Sequence, residues 1–84
     1  MRLPPVNFEP HDTVRVARLL LPSRDVDGSS AEPPQPRVGE KGTVVDSLGE
    51  GLYLIERATD DGRTLWLAEF HDVELELLDR AELR

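Results

Sequence analysis

From Asp12 onward, apolar and polar positions alternate: Val14 and Val16 are interleaved with Thr13, Arg15 and Ala17, the period-two pattern of a half-buried strand. This predicts a first strand from Asp12 to Leu20, ended by Pro22. Further runs rich in Val, Leu, Tyr and Trp predict strands from Gly42 to Leu48, Leu52 to Thr59 and Arg63 to Phe70. The turn signals between them are Gly39 and Gly42, Gly49 and Gly51, and Asp61-Gly62, the last suited to positive φ in a tight turn. These connections are short enough to force antiparallel neighbours. The run Val73-Glu74-Leu75-Glu76-Leu77-Leu78 alternates cleanly and predicts a last strand after a tight turn at His71-Asp72. A helix over 72–83 is the rival, because the residues there are good helix formers, but Val73, Leu75 and Leu77 at spacing two fit a strand better.

The expected architecture is all-β, a small antiparallel five-stranded barrel over residues 12–79 with Val14, Val16, Val44, Tyr53, Ile55, Trp66 and Leu77 in its core. In the third strand Tyr53 and Ile55 share a face with Arg57, and Leu52 and Leu54 share the other with Glu56. Both faces are partly apolar. If Tyr53 and Ile55 point inward, Leu52, Leu54, Leu65 and Leu67 form an outward stripe, which is the candidate interaction surface.

Proline divides the chain differently. All seven prolines lie between Pro4 and Pro36. Residues 1–11 read as an extended, poorly ordered lead-in, from which Val6 and Phe8 have the means to tuck against the domain. Residues 22–37 contain four of the prolines and almost no apolar side chains, which predicts a long mobile first loop. Residues 80–84 read as a short tail.

Charge and composition then narrow the classes. With 84 residues the chain has room for one domain near the lower size limit for a self-sustaining core, so docking or oligomerisation is an ordinary way to bury more surface. The absence of cysteine removes disulfides, thiolate metal sites and thiol nucleophiles and fits a reducing cytoplasm. The N-terminus lacks the apolar core of a signal peptide, and the longest apolar run, Leu19-Leu20-Leu21, cannot span a bilayer. Net charge is −7, and residues 38–84 carry all of the excess, with five bases against twelve acids. That sign disfavours nucleic acid and anionic membranes and favours basic proteins or peptides.

The turn Gly39-x-x-Gly42-Thr43-Val44-Val45 resembles that of SH3-like barrels of the KOW kind, in which such a turn opens a strand. Together with Asp12-Thr13-Val14-Arg15-Val16, Gly51-x-Tyr53-x-Ile55, Asp61-Gly62-Arg63-Thr64 and the acidic-hydrophobic ending at 73–78, the chain resembles a small bacterial SH3-like family of unknown function. It is similar, more distantly, to the C-terminal barrel of the nitrile hydratase β subunit. The resemblance covers residues 12–79 and rests on turns and core positions, with no chemistry in its motifs. Two departures stand out. The first loop is longer here, and Arg57 occupies a position where the family pattern places a core residue, so that either the core closes one residue earlier or Arg57 folds out to pair with an acid such as Glu69.

Candidate chemistry is sparse. The dipeptides His11-Asp12 and His71-Asp72 lack recognised metal-ligand spacing, and Asp before a strand commonly accepts turn hydrogen bonds, which is the preferred reading. Asp25-Val26-Asp27-Gly28 opens like a calcium loop, but Gly28 is misplaced and Pro36 stands where the closing Glu belongs. Ser23, Ser29, Ser30 and Ser47 have no nucleophile elbow. Glu40-Lys41 sits where a KOW-type barrel meets phosphate, yet Lys41 is the only lysine and Asp46 and Glu50 oppose it. Pro33-Pro34-Gln35-Pro36-Arg37 has polyproline-ligand spacing, with a solubilising spacer as the plainer reading. Trp66, Tyr53, Phe70 and Phe8 are more simply core or interface anchors than base-stacking platforms.

No catalytic, cofactor or metal site and no small-molecule substrate is identified from the residues. The expectation is a non-enzymatic, cytoplasmic SH3-like domain acting by protein contacts, as a homo-oligomer or accessory subunit. The alternatives are a KOW-type RNA- or ribosome-associated domain and a nitrile-hydratase-β-like subunit that contributes to a partner enzyme.

Overall fold

The computed structural model describes residues 7–81. It is all-β, with β1 (Thr13–Val16), β2 (Lys41–Gly49), β3 (Leu52–Ala58), β4 (Thr64–His71) and β5 (Leu75–Asp79), and a single 3₁₀ turn at Asp72–Glu74. The strands form one antiparallel sheet in the order β4-β3-β2-β1-β5. Short glycine turns dictate the β2-β3-β4 meander, and β1 joins it by pairing with both β2 and β5.

One face of the sheet carries the core. Val14, Val16, Val44, Tyr53, Ile55 and Trp66 are buried, as their alternation predicts, and Leu77 is only half-buried. Phe8, Ala68, Phe70 and Leu75 complete the core. Phe8 comes from the proline-rich lead-in: its ring meets Tyr53 edge-on at 5.1 Å between centroids, and its amide donates to the Tyr53 hydroxyl at 3.2 Å. Trp66 and Phe70 lie 5.5 Å apart.

Two strand boundaries differ from expectation by more than one residue. The first strand stops at Val16 rather than Leu20, because the Val16 carbonyl accepts from Gly39 and the Ala17 amide turns aside to the Glu74 carbonyl. The last begins at Leu75 rather than Val73, since Asp72–Glu74 winds into the 3₁₀ turn and leaves Val73 exposed. Residues 75–79 are strand and not helix, so the helical rival over 72–83 fails there. Gly42, taken from sequence as a turn residue, lies inside β2 at negative φ; a Cβ there would sit 2.7 Å from Ile55 Cγ2 and 3.0 Å from the Glu56 carbonyl. Close strand packing explains that glycine. Gly49 and Gly51 flank Glu50, and all three have positive φ, so the β2-β3 turn is left-handed throughout.

Candidate functional site

The 24 residues between Val16 and Lys41 form a polar strap, and its position is set by one buried carboxylate. Glu74, in the 3₁₀ turn, is fully buried, and the Arg24 side chain of the strap is almost fully buried opposite it. The Arg24 guanidinium donates to both Glu74 carboxylate oxygens, at 3.1 and 2.5 Å, and to the Glu69 carbonyl at 2.8 Å. It lies 4.3 Å above the centre of the Phe70 ring. The backbone amides of Leu20 and His71 donate to the same carboxylate, each at 2.9 Å. Burial alone would raise the Glu74 pKa; the Arg24 hydrogen bonds, then those from Leu20 and His71, with the Arg24 charge, outweigh it and hold the carboxyl below its ordinary range.

Beyond Arg24 the strap runs along the edge of β4. Gln35 and the Arg24 backbone exchange hydrogen bonds of 3.0 and 2.8 Å. Asp27 and Leu67 exchange a backbone pair at 3.0 and 2.8 Å, and Ser29 and Thr64 bond reciprocally at 2.8 and 3.1 Å. The segment that composition marks as a mobile loop therefore supplies partners to an edge strand. Pro36 of the polyproline-like run is buried, and Pro33 lies against Gly28.

An open cleft of about 580 Å³ lies between the strap and the sheet, lined by Leu21, Arg24, Asp25, Leu52, Glu69 and His71 among others. A smaller one, about 230 Å³, lies beside Lys41, Gly42, Glu56 and Arg57.

The four predicted surface leucines sit on β3 and β4 as follows. Leu52, Leu54 and Leu67 are half-buried, and Leu65 is exposed beside the bulge between the Arg57 and Ala58 pairings. Cross-strand partners share a face, so the side away from the core reads Asp46-Leu54-Glu69 in one row and Thr43-Glu56-Leu67 in the next. The apolar stripe is thus interleaved with carboxylates, and Asp27 flanks Leu67 at the edge.

Other sequence candidates have local structural roles. Asp12 is fully buried and accepts from the amides of Glu9 (2.8 Å) and Ala81 (2.7 Å), with Arg80 3.4 Å away, so it ties the backbone at Glu9 to that at Ala81. The preceding residue, His11, is exposed at φ 75°. His71 and Asp72 open the 3₁₀ turn, and the Asp72 amide donates to the Gly51 carbonyl at 2.8 Å. Arg57 pairs with an acid, but with Glu40 rather than Glu69: its half-buried side chain brings Nε 3.4 Å from Glu40 Oε2, and Nη1 donates to the Lys41 carbonyl at 3.0 Å. Glu40 also accepts from Trp66 Nε1 at 3.2 Å and from the Arg37 amide at 2.8 Å. The carboxylate of the glycine turn thus holds the core tryptophan, while Lys41 is exposed. Among the described residues no three His, Asp or Glu side chains gather into a metal-ligand group, and no helix is long and apolar enough to cross a membrane.

Sequence reasoning missed the Arg24–Glu74 pair. Its only sequence trace is Glu74 standing between Val73 and Leu75 in an apolar run, with nothing to indicate a partner fifty residues earlier. No protein-family model, curated protein or solved structure matches the chain.

Proposed function

We propose that this chain is a non-enzymatic protein-interaction or accessory-subunit domain of SH3-like barrel form, acting through the outer face of β3 and β4. The observation that carries this reading is the set of half-buried leucines, Leu52, Leu54 and Leu67, on the side of the sheet away from the core, with Leu65 exposed beside them. Diagonal neighbours such as Leu54 and Leu67 lie within side-chain reach, about 7–8 Å apart in an antiparallel pair. A second layer on this face would remove apolar surface from water and leave Asp46, Glu56 and Glu69 as a polar frame. Support for the SH3-like form comes from the continuous antiparallel five-stranded sheet with its glycine-bounded turns.

Light scattering over a range of concentrations tests the reading, comparing the wild type with Leu54→Glu/Leu67→Glu. A wild-type oligomer that the folded variant dissociates supports it. A wild type that is monomeric at every concentration refutes self-association through this face, and salt-sensitive RNA binding in a parallel titration would favour the KOW-type alternative.

A further inference from the structure

Leaving β1, the strap exposes three leucines in succession: Leu19, Leu20 and Leu21 are 38, 53 and 48% exposed. Such a run leaves apolar surface in water in a domain that is short of buried apolar surface, and three consecutive exposed apolar residues are a pattern that function rather than folding accounts for. The run is also held in place. The Glu74 carbonyl accepts from the amides of Ala17 (2.7 Å) and Arg18 (3.3 Å), and its carboxylate accepts from the Leu20 amide. A fully buried residue thus fixes the backbone of an exposed apolar ledge at both its start and its middle.

Leu21 continues the ledge into the 580 Å³ cleft, where Leu52 supplies a second apolar wall. The charges in that cleft do not cancel. Arg24 is occupied by Glu74 and the Glu69 carbonyl, whereas the carboxylates of Asp25 and Glu69 enter no ion pair or hydrogen bond among the described residues. An apolar ledge beside uncompensated carboxylates, in a domain of net charge −7, repels phosphate backbones and anionic headgroups and complements a cationic amphipathic surface.

We propose that the leucine ledge and this cleft dock an amphipathic segment of a partner protein, its apolar side chains on Leu20 and Leu21 and its Lys or Arg side chains at Asp25 and Glu69. The proposal rests on the reading that the domain works by protein contacts, but places this one at a surface that adjoins the outer face of β3 and β4 and shares Leu52, Glu69 and His71 with it.

The test is an NMR titration of the isotopically labelled chain with a short amphipathic Leu/Lys peptide and with its Leu/Glu counterpart. The Leu/Lys peptide should shift the amides of Leu20, Leu21, Glu69 and His71 in a saturable way, and the Leu/Glu peptide should not. Leu20→Ser/Leu21→Ser and, separately, Asp25→Asn/Glu69→Gln should each weaken binding at least tenfold. All four side chains reach solvent, so these variants should fold, with Trp66 fluorescence as the check. Shifts spread over every acidic surface, or variants that bind like the wild type, overturn the proposal. A charge-neutral Leu65→Ser/Leu67→Ser variant, away from the cleft, separates the two surfaces: retained peptide binding in it supports the ledge, and loss of binding overturns it in favour of the outer face.

Discussion

Replacing Glu74 with Ala removes the acceptor of two backbone amides and a bidentate guanidinium at one stroke. Arg24, only 6% exposed at its side chain, is left as a charge without a counterion, and breaking a buried pair from one side typically costs about 3–5 kcal/mol. A domain of this length has roughly 4–12 kcal/mol of stability in total, so the loss is a large part of it. Arg24 has an escape that Glu74 lacks, since its long side chain can swing to water by giving up the Phe70 ring and the Glu69 carbonyl. The strap would leave with it. Urea unfolding followed by Trp66, the only tryptophan and 1% exposed, should show a lower midpoint. Hydrogen exchange should show that Asp27, Ser29 and Leu67, protected in the wild type by the strap's pairing with β4, lose protection together. An Arg24→Met/Glu74→Leu variant should recover part of the loss, because apolar pairs often replace buried ion pairs at little cost. It should not recover all of it, because the Leu20 and His71 amides remain without an acceptor, at about 1–3 kcal/mol each. A Glu74→Ala cost below about 1 kcal/mol, or exchange at Asp27 and Ser29 as fast as in an unfolded chain already in the wild type, would refute the reasoning.

Three further outcomes follow from the same geometry. The Glu74 pKa is lowered in the folded chain, so its contribution is fully present above the unfolded carboxyl value of about 4.3 and is lost as pH falls through the folded value; Glu74→Gln should therefore flatten the acid limb of a stability-against-pH curve, and a parallel curve would contradict the assignment. Gly42→Ala puts a methyl 2.7 Å from Ile55 Cγ2 and against the Glu56 carbonyl, and should destabilise by about 1–3 kcal/mol in thermal or urea melts. Ile55→Ala, at a fully buried central position, should cost about 2–5 kcal/mol and bring the domain close to unfolding at room temperature, as circular dichroism would report.

The parts of the fold that could be read from sequence are those governed by local rules. Alternation places Val14, Val16, Val44, Tyr53 and Ile55 on one side because a strand reverses its side chains at every residue, and the positive-φ glycines mark three turns. Those rules fail where polar long-range pairing replaces hydrophobic pattern. By local pattern alone β1 should have continued past Val16 through Leu19 and Leu20; what diverts it is the Glu74 carbonyl, more than fifty residues away in sequence.

The same physics explains why composition did not reveal what residues 22–37 contact. Low apolar content predicts mobility when hydrophobic burial is the only term set against chain entropy. This segment instead holds Arg24, Gln35, Asp27 and Ser29 at positions that match the unpaired groups of β4 and the 3₁₀ turn, and a single guanidinium can bury its planar face on Phe70 while its edge satisfies a carboxylate. Such complementarity depends on which groups the rest of the fold leaves unsatisfied. It emerges only after the sheet exists, which is why the strap and the leucine ledge it carries were visible in the sequence only as a polar loop and an apolar triplet.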